Sequence, residues 1–195
     1  MRTRIPGLIC LSVAAIMLYS CSGSGSSGTI ITVSLTPTYN KKNTPSVDVV
    51  QDTCKSGDFE YFADHSATAV FSASLYNSNM SQPLTFTIDR YTITFTTMAD
   101  SPLAPPIQTD SREQSASFTV SGSTTSTLTM DVSLVDLVRK VKYMQDLSGR
   151  SYGSSPDYLN NYTATYVFEG HNDRGESFTV SGSTNFEMGD FDNCT

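Results

Sequence analysis

Ala67-Thr68-Ala69-Val70-Phe71-Ser72-Ala73-Ser74-Leu75 decides the fold. Its odd positions carry Ala, Ala, Phe, Ala and Leu, while Thr68, Ser72 and Ser74 occupy the even ones. Successive side chains leave a strand on opposite sides, so this alternation marks a strand with one buried face. Asn77-Ser78-Asn79 then reads as a turn.

The same period recurs in both directions along the chain. Ile31, Val33 and Leu35 alternate with Thr32 and Ser34, and Pro37 limits that strand. Val47, Val49 and Val50 mark a short strand before Asp52. Leu84, Phe86 and Ile88 are even, whereas Tyr91, Ile93 and Phe95 are odd. The switch at Asp89-Arg90 requires a one-residue bulge or a break into two strands. Pro102, Pro105 and Pro106 mark a loop, and Phe118 with Val120 follow it. Leu128, Met130, Val132 and Leu134 share a face, as do Tyr162, Ala164, Tyr166 and Phe168. Asn172-Asp173-Arg174-Gly175 reads as a hairpin turn into Phe178, Val180, Phe186 and Met188. The pattern predicts an all-β fold, an antiparallel β-sandwich spanning residues 29–195. Phe71, Ile93, Phe118, Leu128, Tyr166, Phe178 and Phe186 are its expected core.

One segment has another period. Leu134, Leu137, Val138 and Val141 recur at helical spacing, with Ser133 as a cap and Gly149 as a stop. A short helix over 134–146 is expected in a connection between strands. Its apolar residues either cap one open end of the core or present a partner-binding stripe. Ser117-Phe-Thr-Val-Ser-Gly-Ser-Thr124 recurs as Ser177-Phe-Thr-Val-Ser-Gly-Ser-Thr184. Two strands with the same inward Phe and Val and a Gly at a bend explain this echo better than a duplicated half-domain, because the flanks differ.

The run Tyr162-Thr-Ala-Thr-Tyr166, the Asn172–Gly175 turn and Ser177-Phe-Thr-Val180 resemble the closing strands of immunoglobulin-like and fibronectin-III-like modules. That resemblance covers about a quarter of the chain, and the usual core Trp is missing. It implies an immunoglobulin-like sandwich and no catalytic residues. As a whole, the chain is similar to small β-rich lipoproteins of anaerobic bacteria whose function is obscure.

The chain has 195 residues, 16% of them charged, against a usual share of about 25%. Ser and Thr number 54, so the polar surface is largely hydroxyl. A hydrophobic content of 38% supports one sizeable core and argues against disorder. The net charge of −7 disfavours nucleic acid as a partner, because that binding depends on neutralising phosphates.

Residues 1–20 read as an address. Arg2 and Arg4 precede the uncharged, mostly apolar stretch from Ile5 to Leu18, the form of a secretory signal peptide. Leu18-Tyr19-Ser20-Cys21 resembles a bacterial lipobox, which implies lipidation at Cys21. An ordinary signal peptide cut near Ser20 or an uncleaved anchor are the alternatives. Ser22-Gly23-Ser24-Gly25-Ser26-Ser27-Gly28 is a flexible linker, so residues 21–28 form a tether. Ser22, rather than Asp, after the lipidated Cys implies outer-membrane anchoring in this lipoprotein class. Acyl chains on Cys21, palmitate among them, would hold the protein to the membrane. Release of residues 1–20 leaves ten basic against 19 acidic residues, a charge of −9. Anionic lipid should repel such a domain.

Cys54 and Cys194 are then the cysteines of the folded part, and an exported compartment favours a disulfide between them. Two free thiols are the alternative. The sequence contains no HExxH, C-x-x-C, G-x-S-x-G or phosphate-loop motif. His65 and His171 are the only imidazoles, which leaves little for a Ser nucleophile that needs an oriented base. Asp48, Asp52, Asp58, Glu60 and Asp64 form an acidic run that either binds calcium or is a solvated loop. Glu187, Asp190 and Asp192 form a second acidic group beside Cys194. The expected function is a non-enzymatic, lipid-anchored envelope protein that binds or scaffolds a protein or polysaccharide. The alternative is a small-ligand carrier or an enzyme with a site in the end loops.

Overall fold

The computed structural model describes residues 29–37, 46–60, 62–75, 82–122, 124–149 and 159–191. The signal peptide, Cys21, the linker and Cys194 lie outside them. Among the described residues there are eight strands and one helix. They are β1 (Thr29–Pro37), β2 (Ser46–Asp48), β3 (His65–Leu75), β4 (Leu84–Thr97), β5 (Asp110–Val120), β6 (Ser126–Val135), α1 (Leu137–Ser148), β7 (Asn160–Asn172) and β8 (Ser177–Gly189). They form a three-stranded sheet, β1-β3-β6, and a five-stranded sheet, β2-β8-β7-β4-β5. The fold is therefore all-β. Its pairings are antiparallel except for β2 with β8, which is parallel.

The alternating residues of β3 face inward, with Ala67, Ala69, Phe71, Ala73 and Leu75 all buried. They meet the inner face of the larger sheet in a single core, where the Phe71 ring stands edge-on to Phe168 at 4.8 Å. The small residues around Phe71 let the sheets approach, and aromatic rings from β4, β7 and β8 fill the space opposite. Phe71, Ile93, Phe118, Tyr166 and Phe186 are buried as expected, and Leu128 and Phe178 are packed against them in part.

The parity switch at Asp89-Arg90 is a bulge in one continuous strand. The pairing of β4 with both β5 and β7 shifts between Ile88 and Arg90. Beside it, Gly170 pairs with Phe178, and a Cβ on Gly170 would lie 2.1 Å from the Thr87 carbonyl oxygen and 2.7 Å from the Phe178 ring. A backbone oxygen cannot rotate away as a side chain can. Gly170→Ala should therefore cost about 3 kcal/mol or more, the upper range for overpacking. The urea midpoint would measure this, and a loss below roughly 1 kcal/mol would mean that the bulge absorbs the methyl group. A second irregularity lies between His65 and Ser66 of β3, opposite Val135 and Ser133. There the Tyr91 hydroxyl accepts from the Ser133 N–H at 2.9 Å, and the Tyr166 hydroxyl donates to the Ser133 carbonyl at 2.8 Å.

The predicted hairpin is present. Gly175 has φ +77°, the left-handed conformation that favours glycine, and its N–H donates to the Asn172 carbonyl at 2.9 Å. The strand before Phe118 is longer than the sequence indicated. It begins at Asp110 on a polar run, because β5 is a sheet edge whose backbone pairs on one side only.

The helix is displaced by a few residues, and its orientation differs from the core-capping expectation. Its cap is Asp136, whose side chain accepts from the Arg139 N–H, and not Ser133. Leu134 is buried, but as part of β6. Leu137, Val138 and Val141 point to solvent, and the helix buries Lys140, Tyr143 and Leu147 instead.

Candidate functional site

The N-terminus of β3, the C-termini of β4, β6 and β8, and the start of β7 lie at one end of the two sheets with α1. Two polar assemblies hold the helix there. In the first, Arg112 bonds Asp110 at 2.6 Å and Asp136 at 2.8 Å, while Arg139 bonds Asp136 at 2.6 Å and Asp110 at 3.1 Å. Arg139 also donates to the carbonyls of Gln108 and Thr109. Burial opposes ionisation of Asp110, but the two arginines outweigh it and hold that carboxyl below the usual carboxylate range. In the second, the Asn160 amide donates to the Tyr143 hydroxyl at 2.6 Å, and the Tyr162 hydroxyl donates to the Pro105 carbonyl at 2.7 Å.

Lys140 lies between these assemblies and the start of β3, fully buried. Its ammonium donates to the Ala63 carbonyl at 2.6 Å and stands 4.5 Å from the Phe62 ring centre. Burial lowers its pKa to about 8, although Asp48, Asp64 and Glu60 all favour its charge. His65, also buried, is held at a pKa of about 4 by burial and by the Lys140 charge. The unfolded chain protonates this histidine near 6.5, so between 6.5 and 4 the unfolded state binds more protons. Stability should then fall as the pH drops, by roughly 2 kcal/mol from this group by pH 5. Urea unfolding at pH 7 and pH 5 tests this, and His65→Gln should flatten the slope; an unchanged slope would assign it to the carboxylates.

These neighbours account for the acidic run. The Asp48 carboxylate accepts from the N–H groups of Val50 and Phe191, both at 3.2 Å. Glu60 accepts from the Asp52 N–H at 2.9 Å, and Asp64 accepts from the Leu137 N–H at 2.7 Å at the start of the helix. The Asp58 carbonyl closes a turn by accepting from the Cys54 N–H at 2.7 Å. Asp52 and Asp58 are exposed. Asp48, Glu60 and Asp64 thus serve backbone N–H groups and surround an ammonium. The calcium expectation finds no site here: among the described residues no group of three or more His, Cys, Asp or Glu is placed to hold a metal. The sequence reading missed Lys140, which belongs to the same assembly but is distant in the chain.

His171 is exposed at the predicted turn. Its Nδ1 lies 2.8 Å from the Asp89 carboxylate on the outer face of the larger sheet, where Arg90 also pairs with Glu169.

Surface apolar residues are unevenly distributed. Leu137, Val138 and Val141 are on α1. Leu103 lies in the loop that Tyr162 and Arg139 bind, Leu159 precedes Asn160, and Phe59 precedes Glu60. Six of the seven large exposed apolar residues among the described residues are therefore at the helix end, with Val138 76% and Phe59 72% exposed. Ile30, which pairs with Ser74, is at the opposite end.

No family model matches the chain, and no curated protein matches it. Similar solved structures include a protein from Archaeoglobus fulgidus, at 10% identity and TM-score 0.42 over 80% of this chain and 94% of that one. Another is the Northeast Structural Genomics Consortium target SoR45, at 10% identity and TM-score 0.35 over 84% and 88%. A protein of Arabidopsis thaliana, solved in solution, aligns at 12% identity and TM-score 0.33 over 68% and 76%. Likenesses this distant point to no ligand or activity.

Proposed function

We propose that this chain is a non-enzymatic lipoprotein of the outer membrane, an immunoglobulin-like sandwich that binds another envelope component through its helix end. The observation that carries this reading is the reversed helix. A lysine is buried while Leu137, Val138 and Val141 face water, against the pattern that packing alone favours. Local rules broken in this way occur characteristically at functional sites. The position of the tether supports the reading. Thr29, where the linker joins β1, pairs with Leu75 at the far end of β3 from His65. Eleven residues of strand separate the two ends by roughly 33 Å. A seven-residue linker reaches at most about 25 Å beyond Cys21. Lipid on Cys21 would hold one end to the membrane and leave the apolar end available to a partner.

Photoreactive side chains placed at Val138 and at Thr127, on the outer face of β6, test this in cells making the full-length protein. Adducts are expected from position 138 and not from 127. Equal labelling at both positions, or none, would overturn the reading. Cys21→Ala should move the protein out of the membrane fraction.

A further inference from the structure

We propose that the occupant of the helix end is a basic, amphipathic polypeptide segment, whose apolar side covers Leu137, Val138 and Val141. This rests on the reading of that end as the binding surface and adds the chemistry of the partner. The apolar stripe lies at the end that also carries Phe59, Leu103 and Leu159, side chains that water solvates poorly. Its surroundings are acidic. Asp52, Asp58, Asp64 and Asp100 are exposed there, and Asp52, Asp58 and Asp100 have no salt-bridge partner among the described residues. Asp100 accepts only neutral donors, the Ser101 hydroxyl and the Asn161 amide.

Among the described residues, most cations of this end are engaged: Arg112 and Arg139 between two aspartates, Lys140 in the interior, and Lys142 with Asp146 on the helix itself, which leaves the exposed Lys55 against Asp52, Asp58, Asp64 and Asp100. An apolar centre with an excess of carboxylates around it complements Leu or Ile on one side of a helix and Lys or Arg on its flanks. A second copy of this chain would bring the same acidic surroundings against its own. An anionic bilayer would meet the same repulsion, at the end farthest from the tether.

The test uses the mature protein and two synthetic 18-residue helical peptides, one of Leu and Lys and one of Leu and Glu with the same apolar face. Fluorescence anisotropy should show saturable binding of the Leu/Lys peptide. Val138→Asp with Val141→Asp should weaken it at least tenfold, and Asp52→Asn with Asp58→Asn by several-fold. Both pairs are exposed, and circular dichroism would confirm that the variants fold. Equal binding of the Leu/Glu peptide overturns the proposal, as does Leu/Lys binding indifferent to Val138→Asp with Val141→Asp. A dimer in light scattering that Val138→Asp dissociates would overturn it in favour of a second copy. Site-specific adducts at 138 in cells without Leu/Lys binding would refute this partner chemistry and leave the helix end as the binding surface. Absence of adducts at 138 would remove that surface itself.

Discussion

Lys140→Ala should destabilise the protein by about 3–5 kcal/mol, the usual loss when one partner of a buried charge assembly is removed. The lysine is fully buried, and Asp48 and Glu60 beside it are almost so. Its removal leaves their charges without the cation that faces them and the Ala63 carbonyl without its donor. Glu60→Gln in the Lys140→Ala background removes one of those charges and keeps an acceptor for the Asp52 N–H. It should recover a substantial part of the loss. No recovery would assign the effect to packing of the lysine stem.

The wild-type pH dependence tests the same assembly. Lys140 titrates near 8 when folded and near 10.5 when unfolded. In between, the unfolded chain binds more protons, so stability should rise with pH, by roughly 2 kcal/mol from pH 8 to pH 10. Burial raises Tyr162 and Tyr166, whose folded forms keep protons that the unfolded chain loses near 10. Stability should therefore turn downward above that pH. Lys140→Met should abolish the rise and keep the fall.

We propose that Cys54 and Cys194 form a disulfide, whose reduction should lower stability by up to about 5 kcal/mol, because such a bond would close a loop of about 140 residues in the unfolded chain. The proposal draws support from the neighbourhood of Cys54. β2 runs parallel to β8, and the chains continue together: Val49 N–H donates to the Gly189 carbonyl, and Phe191 N–H to Asp48. Cys54 follows Asp48 by six residues, in a turn closed by the Thr53–Phe59 bridge. Cys194 follows Gly189 by five. Non-reducing peptide mapping would identify the crosslinked pair, and Cys54→Ser with Cys194→Ser should match the reduced protein in melting temperature. Two alkylatable thiols in the unfolded, unreduced protein would sink the idea.

Strand identity and inward faces were legible in the residues, because the two-residue period of a strand is local and the buried face must be apolar along its whole length. β3 followed from that period alone; the period also located the irregularity at Asp89-Arg90 without choosing between a bulge and a break, and the β7–β8 hairpin followed from the period together with the Asn172–Gly175 turn. The repeated octapeptide marks where local information ends. In its first copy Phe118 pairs with Phe86, and Gly122 turns the chain at φ +61°. In its second copy Phe178 covers Gly170, and Gly182 lies within β8, where a Cβ would come within 3.0 Å of Val33 on β1. Identical residues thus serve a turn in one place and a close approach of two sheet edges in the other. The helix shows the same limit. Its spacing indicated α1, but the side facing the core was set by Asp64, Asp110 and Arg112, which β3 and β5 bring to it. Ion pairs and hydrogen bonds between residues distant in the chain have no period. They outweighed the apolar stripe at α1, and only the tertiary structure could place Lys140 inside and Val138 outside.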